Sequence, residues 1–585
     1  MARVLGISAF YHDSAACLVE DGRVVAALQE ERFSRLKHDS AFPERAVSAA
    51  LRIGGRSMGE LDCVVFYEKP FMKLERLLDT YVRNCPRGLA SYLKAMPVWF
   101  REKLWIKEQI RRQLEFDGPI LFADHHESHA ASAFFASPFE SAALLTLDGV
   151  GEWTTTSLGR GRGTRIELLS EVRFPHSLGL LYTAFTYYLG FRVNSGEYKV
   201  MGLAPYGTPR YEDLIREHLI QVNDDGSFRL DTRYFNYETG LRMTSRRFDE
   251  LFGGPPRRPG SQLDQRHKDL AASIQKVTED VVLKICGHLR RESGEKHLCM
   301  AGGVALNCVA NGRILREAGF EDLWVQPAAG DAGGALGAAL AVSYGQMGLE
   351  SRVPGEAPGG HWNTLLGTAY ADAEIRSVLD SHGARYERLT EDDLLARTAA
   401  VLEQGGVVGW FQGRMEFGPR ALGSRSILAD ARRPDMQDHI NARIKYRESF
   451  RPFAPAVLEE SVSDYFKLDR PSPYMLIVAD VQDDKRGVIP AVTHVDGSAR
   501  VQTVGRADNP RFHGLLRAFA QRTGCPVLLN TSFNVRGEPI IESPEQAYQC
   551  FMRTGLDLLV IGDFLLEKER QPSGLEPVTG QGGRR

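Results

Sequence analysis

Three histidines fall within five residues in the stretch DHHESHAASAF, Asp124 to Phe134. Asp124 is a residue type that starts helices, and Glu127 stands three positions on as in a capping box, so the pattern predicts a helix beginning at His125. On that helix His125 and His129 share a face, whereas His126 projects about 100° away. Imidazoles at i and i+4 ligate Fe(II), Zn(II) or Mn(II), but only with further donors from elsewhere in the fold. Two aspartates offer them: Asp148 in TLDGVGE and Asp331 in AAGDAGGA each close an apolar run, where an α/β sheet presents its ligands. Capping a turn or a helix is the competing role for both. His12, beside Asp13 in a hairpin turn, contributes little to packing and is a candidate general base if it faces the same cleft.

A second group of charged residues lies towards the C-terminus. GRMEFGPRALGSRSILADARR, NARIKYRESFRPFAPAV and LLNTSFNVRGEPI set Arg414, Arg420, Arg425, Lys445, Arg447 and Arg451 among Gly, Pro, Ser and Thr. Cations that alternate with turn residues, without the acidic partners of a solvated helix face, predict a pocket for a phosphate or carboxylate.

Elements at defined places must hold these groups. The opening residues read as strands joined by tight turns (RVLGIS, AACLVE, RVVAALQ), with Asp21-Gly22 as a hairpin pair. AALLTLDGVGEWTTTSLGRG has the same grammar and reads as a structural repeat of that hairpin. The stretch VWFREKLWIKEQIRRQLEF is helical and partly basic, and a long helix is predicted from about Arg266 to Ser293. The strand HLCMA then breaks at Gly302-Gly303, and the Gly- and Ala-rich helix after Asp331 must pack closely against a neighbour. At 585 residues the chain exceeds what one core usually serves. Residues 1–350 form the first predicted domain, 351–390 a linker or surface excursion, 391–568 a second α/β domain, and 569–585 a disordered tail.

A formal net charge of -3 gives no bulk field for nucleic acid or anionic lipid. Eight cysteines without a CxxC pair argue against a zinc ribbon or disulfide scaffold and point to a reducing, cytoplasmic setting. The first apolar run is interrupted at Tyr11, His12 and Asp13, unlike a signal peptide, and no later run approaches the roughly 20 apolar residues that span a bilayer. Neither a nucleic-acid nor a membrane partner is expected.

Longer motifs then enter together: GISAFYHDSAACLVEDGRVVAALQEERFSRLKH, HHESHAASAF, LDGVGEW, GEYKVMGLAPYG, GGVALN, GRMEFGPRALGSRSILADAR, FRPFAPAV and LLNTSFNVRGEPI. In type and order, over about residues 3 to 568, they resemble the O-carbamoyltransferases related to nodulation protein U and to the cephamycin and tobramycin carbamoyltransferases. The resemblance implies an α/β chain with two parts. The N-terminal domain has the actin/Hsp70/sugar-kinase ATPase fold, related to tRNA threonylcarbamoyl-transfer proteins, and the C-terminal domain is YrdC-like. It implies carbamoyl phosphate and ATP as substrates, with Mg, and a carbamoyl adenylate formed in the C-terminal domain. The N-terminal domain then passes the carbamoyl group to a hydroxyl of a small polyhydroxylated acceptor: an antibiotic, a sugar or another natural product.

Carried over by motif, His125, His129, Asp148 and Asp331 become ligands of a divalent metal, Fe(II) ahead of Zn or Mn, and His12 becomes the base for the acceptor hydroxyl. Lys199, Gly202, Gly302, Gly303 and Asn307 fall in the motifs that line the adenylate. Arg420, Lys445, Arg451, Arg500, Asn530 and Ser532 fall on the carbamoyl phosphate and ATP pocket, where Arg420 and Lys445 carry the catalytic role. Carbamoylation or threonylcarbamoylation of tRNA is the competing enzymatic reading, and a non-catalytic ATPase-fold binding protein the competing reading outside enzymes.

Overall fold

A computed structural model describes residues 2–352 and 362–572. The remaining residues of the expected linker, 353–361, and of the expected tail, 573–585, lie outside the described residues. The chain divides into two compact units: Met1–Ala27 with Ser40–Pro354, and Leu28–Asp39 with Gly355–Arg585.

The first unit is built on a duplication. Strands β1 (Arg3–Ser8), β2 (Ala15–Glu20) and β3 (Arg23–Gln29) are followed by β4 (Cys63–Phe66) and β5 (Ile120–Phe122), in the sheet order β3-β2-β1-β4-β5. β1 runs antiparallel to β2 and parallel to β4, which is parallel to β5. The second sheet repeats this plan with β6 (Ser141–Leu147), β7 (Thr154–Arg162) and β8 (Arg165–Arg173). After a short hairpin of β9 (Ile220–Val222) and β10 (Phe228–Leu230) come β11 (His297–Ala301) and β12 (Asp322–Val325), giving the order β12-β11-β6-β7-β8. β6 and β7 are antiparallel, and β6, β11 and β12 are parallel. A three-strand meander extended by two parallel strands, made twice, is the architecture expected of the actin/Hsp70/sugar-kinase class, and the predicted hairpin repeat is its core.

The parallel strands read as continuous apolar runs because both faces are covered. All four residues of β4 are buried, as are six of the seven in β6. α1 (Glu31–Ser34) belongs to the second unit, and the connecting helices of the first are α2 (Glu44–Gly54), α3 (Pro70–Asn84), α4 (Leu89–Arg101), α5 (Ile106–Leu114) and α6 (His125–Phe134). α6 lies against the helix Ala332–Gly345, and a Cβ added at Gly337 would stand 1.7 Å from the Ser128 carbonyl oxygen. Any side chain there would push the two helix backbones apart, which accounts for the Gly and Ala content of that segment.

The second unit holds a mixed nine-stranded sheet. Its centre is the strand Arg425–Asp430, buried at every residue and antiparallel to both Val408–Phe411 and Val527–Ser532. The stretch expected as a linker is more ordered than its composition suggests. Its residues 372–381 form a helix that buries Ile375 and Leu379, and Glu387–Arg388 adds an edge strand to Phe564–Glu567. Among the described residues no helix is long and apolar enough to cross a membrane.

Candidate active site

α6 begins at His125, as its spacing predicts, but the expected cap is not the one used. Asp124 makes no side-chain cap bond and instead pairs with Lys69 at 2.7 Å. Glu152, from the turn between β6 and β7, accepts the His125 N-H at 3.1 and 3.2 Å and the Lys69 N-H at 2.8 Å. A carboxylate reaching in from the second sheet thus takes the place of the Asp124 side chain at this helix end, where negative charge is stabilising, while Glu127 reaches back to the Asp124 N-H as its spacing predicts.

With that end fixed, His125 and His129 project together and their Nε2 atoms lie 3.1 Å apart. Asp148, just past β6, brings Oδ2 to 3.2 Å from His125 Nε2. Asp331, before the helix Ala332–Gly345, places Oδ1 3.9 Å from each of the two imidazole nitrogens. One donor atom from each of the four residues lies within 4.8 Å of the others. His126 is apart from this group, its Nδ1 2.6 Å from the Thr146 hydroxyl.

The quartet fits a cation. Asp331 is 1% exposed, caps nothing with its side chain, and neither of its carboxylate oxygens meets a hydrogen-bond donor. A buried carboxylate in that state is costly unless a positive charge faces it. Two imidazole nitrogens with two carboxylates form a donor set suited to Fe(II), Mn(II) or Zn(II).

Burial, then the neighbouring His125, push the His129 imidazole down to about 3, into the neutral form that ligates metals. Burial opposes charge on His125 as well, but the hydrogen bond to Asp148 and the Glu68 carboxylate 3.8 Å from its other nitrogen outweigh it and raise that ring well above the usual range. His12 joins the cluster from the first hairpin, with Nε2 3.6 Å from Asp331 Oδ2 and Nδ1 3.0 Å from Asp13. Burial alone would lower His12, yet Asp331 and Asp13 raise it to about 9.

Three residues that sequence reasoning passed over complete the surroundings. Glu68 Oε2 lies 3.8 Å from His125 Nδ1 and is held at 2.7 Å by Lys73, and Arg76 donates to the Gly151 carbonyl at 2.6 Å. Glu68 had a signal: it closes the apolar strand β4, the same position that singled out Asp148 and Asp331.

The glycine pair at the end of β11 meets the ligand cluster directly, since the Gly303 N-H donates to Asp148 Oδ1 at 3.0 Å. Gly302 has φ +90°, and a Cβ there would stand 2.2 Å from the Leu147 carbonyl oxygen. Asn307 caps the helix Cys308–Glu317 through the Ala310 N-H and exchanges two side-chain bonds with Gln275 on the helix Gln265–Ser293. Lys199 and Gly202 lie on the helix Glu197–Leu203, with the Lys199 ammonium 5.6 Å from the Phe191 ring centroid.

In the second unit the expected cations separate into two sorts. Lys445 is buried and its ammonium sits among oxygens, with Asn534 Oδ1 at 2.8 Å, the Asn534 carbonyl at 3.1 Å and Ser532 Oγ at 3.3 Å. Asn530, two residues before Ser532, donates to the Ala421 carbonyl beside Arg420 and to Gln502, which shares a strand with Arg500. Arg451 lies 3.7 Å from Glu448. These contacts link the loop of Arg420 with the strands of Arg500 and Asn530, and bring Ser532 to Lys445.

Arg425 and Arg414 do not belong to an anion pocket. Arg425 is fully buried, donates to the carbonyls of Gln412 and Thr368, and stacks 3.6 Å above Phe411. Arg414 donates to the carbonyls of Gly367 and Leu366. Both guanidiniums satisfy backbone acceptors, a role that sequence does not distinguish from anion binding.

Comparison with known proteins bears on both units. The family profile described as "Carbamoyltransferase N-terminus" matches residues 3–340, and "Carbamoyltransferase C-terminus" matches residues 399–568. An uncharacterized protein of Synechocystis is 54% identical over 98% of each chain. Nodulation protein NolNO of Sinorhizobium fredii is 41% identical over 96% of this chain and 79% of its own length. Nodulation protein U from the same species is 29% identical over 93% of this chain and 96% of its own. With both halves matched, the chain belongs to the carbamoyltransferase family and is an enzyme of that class.

Proposed function

We propose that the protein is an ATP-dependent O-carbamoyltransferase acting on a small polyhydroxylated molecule. The observation that carries this reading is the quartet of His125, His129 and Asp331, all buried, and the part-buried Asp148, with His12 beside it, in a chain of the carbamoyltransferase family. Water first hydrolyses carbamoyl phosphate to phosphate and carbamate, and a carbamate oxygen then attacks the α-phosphorus of ATP and displaces pyrophosphate. Lys445, Arg420, Arg451 and Arg500 offset phosphate charge at this step, and Ser532 and Asn530 set the orientation.

In the first unit the acceptor hydroxyl oxygen attacks the carbamoyl carbon. The bond from that carbon to the AMP phosphate oxygen breaks, AMP leaves with the electron pair, and His12 Nε2 takes the hydroxyl proton. The Gly302-Gly303 turn, Asn307, Lys199 and Gly202 belong to the surface that receives the adenylate. His125, His129, Asp148 and Asp331 would hold the divalent cation, Fe(II) in the family resemblance, which would supply Lewis-acid polarisation of the carbamoyl group and positive charge against Asp331, the carboxylate that otherwise retains the His12 proton.

The test is incubation of metal-loaded protein with ATP and carbamoyl phosphate, following pyrophosphate and the mass of carbamoyl-AMP. Lys445→Ala is expected to abolish both signals, whereas His129→Ala is expected to lose bound metal while still releasing pyrophosphate. Wild-type protein that yields neither product would sink the reading, and so would Lys445→Ala protein indistinguishable from wild type.

A further inference from the structure

Helix α3 is amphipathic in the wrong sense for a surface helix. It buries Lys73, Arg76 and Thr80, each 6% exposed, because Lys73 holds Glu68 and Arg76 holds the Gly151 carbonyl. Its opposite face carries Phe71, Leu74, Leu78 and Val82 at helical spacing, with Phe71 71% and Val82 75% exposed. α4 continues the display. It buries Ser91, Met96 and Trp99 and presents Leu89, Leu93 and Phe100 as one stripe. Of fourteen large hydrophobic side chains exposed among the described residues, eight fall between Phe71 and Trp105. Scattered exposed hydrophobics need no explanation, but a concentration of this kind marks an interaction surface.

The charge of the same segment says what covers it. From Phe71 to Arg112 there are ten Lys and Arg against four Asp and Glu, in a chain whose net charge is -3. Lys73 and Arg76 are buried and Arg83 pairs with Asp79, so the outward cations concentrate from Arg87 onward. α5 buries Ile106, Ile110 and Leu114 and turns Lys107, Arg111 and Arg112 outward, and a hollow at its start is bounded by Arg101, Trp105 and Arg112 together with Glu108 and Gln109. A second copy of this chain meeting the face symmetrically would bring like charges together. Nucleic acid would satisfy the cations and leave the apolar stripes in water. An anionic bilayer satisfies both, since leucines, phenylalanine and tryptophan enter the headgroup boundary while the cations stay with the phosphates.

We propose that the α3 to α5 face docks the enzyme peripherally on an anionic lipid surface. The lack of a spanning helix does not bear on this, because such a helix pair lies in the interface plane and does not cross it. The inference is independent of the reaction proposed above.

The test is cosedimentation of the full chain with vesicles of phosphatidylcholine alone and of phosphatidylcholine mixed with phosphatidylglycerol, across salt concentration. Binding to the mixed vesicles, weak or absent on phosphatidylcholine and declining with salt, is expected. Leu93→Gln with Phe100→Gln, and separately Arg111→Glu with Arg112→Glu, should each lower the partition by about tenfold or more. All four side chains are exposed, so unchanged thermal unfolding serves as the folding control. Failure to bind mixed vesicles at low salt would overturn the proposal, as would partition unaffected by either pair of substitutions. A dimer in sedimentation that Leu93→Gln with Phe100→Gln splits would overturn it in favour of a second copy as occupant.

Discussion

Glu68 shows how one side chain can decide the state of another without touching the reacting atoms. Against burial, Lys73 and then His125 hold its carboxyl down at about 2, so it faces His125 as an anion. A carboxylate on the far nitrogen of a ligating imidazole fixes the tautomer and strengthens the ligand. Glu68→Gln is therefore expected to lower metal affinity by about 10- to 100-fold, read as metal content after dialysis. Unchanged content would remove Glu68 from the site. Lys445 carries a pH prediction. Burial, then Arg447, depress its ammonium well below the ordinary lysine range, so its charge is lost at a lower pH than for a free lysine. On the proposed role, in which Lys445 partners carbamoyl phosphate, the affinity for that anion should fall as pH rises through this lowered value. A titration flat over that window in wild type would count against Lys445 as the anion's partner. At this scale the sequence was informative where one element fixes the geometry. The i, i+4 histidines and the strand-end aspartates meet as spacing predicts, and His126 falls outside. Arg414 and Arg425 misled because charge is visible in a sequence, whereas the carbonyls that surround it are not.

Elements carry the site through contacts that leave no room for side chains. The turn at Gly302-Gly303 holds a left-handed φ against the end of β6 and donates to Asp148 from its second residue. Gly302→Ala is expected to cost about 1–3 kcal/mol and to loosen Asp148, seen as a lower unfolding midpoint together with reduced metal content. A protein that keeps both would show that the turn does not position the ligand. The same scale explains what the sequence read correctly and what it missed. A Gly- and Ala-rich helix announces a close neighbour, and α6 is that neighbour. The cap of α6 was assigned to Asp124 because local patterns name local partners, while Glu152 arrives from a different sheet. The helix Asp372–Ser381 was overlooked since it follows a Pro- and Gly-rich stretch and shows only Ile375 and Leu379 as buried anchors.

On the scale of the molecule the repeated hairpin was legible, because alternation of apolar residues and turn signals occurs twice in the sequence. The composition of the second unit was not. Leu28–Asp39 belongs with Gly355–Arg585: Arg32 donates to the Gly418 carbonyl, and Arg35 to those of Pro539 and Ile540. The bond from Arg32 spans 386 residues of sequence, and no local pattern reports such a partner. Gly355–Arg585 made alone should therefore lack a cooperative thermal transition, and a peptide of Leu28–Asp39 added to it should restore one. A fragment that melts sharply without the peptide would refute this. During synthesis on the ribosome, Leu28–Asp39 emerges before the whole of the segment 40–354 and therefore before any of its partners. The first unit's residues are all made before those that close the second, so that short segment must wait for Gly418, Pro539 and Ile540 before its arginines find the carbonyls they meet in the folded chain.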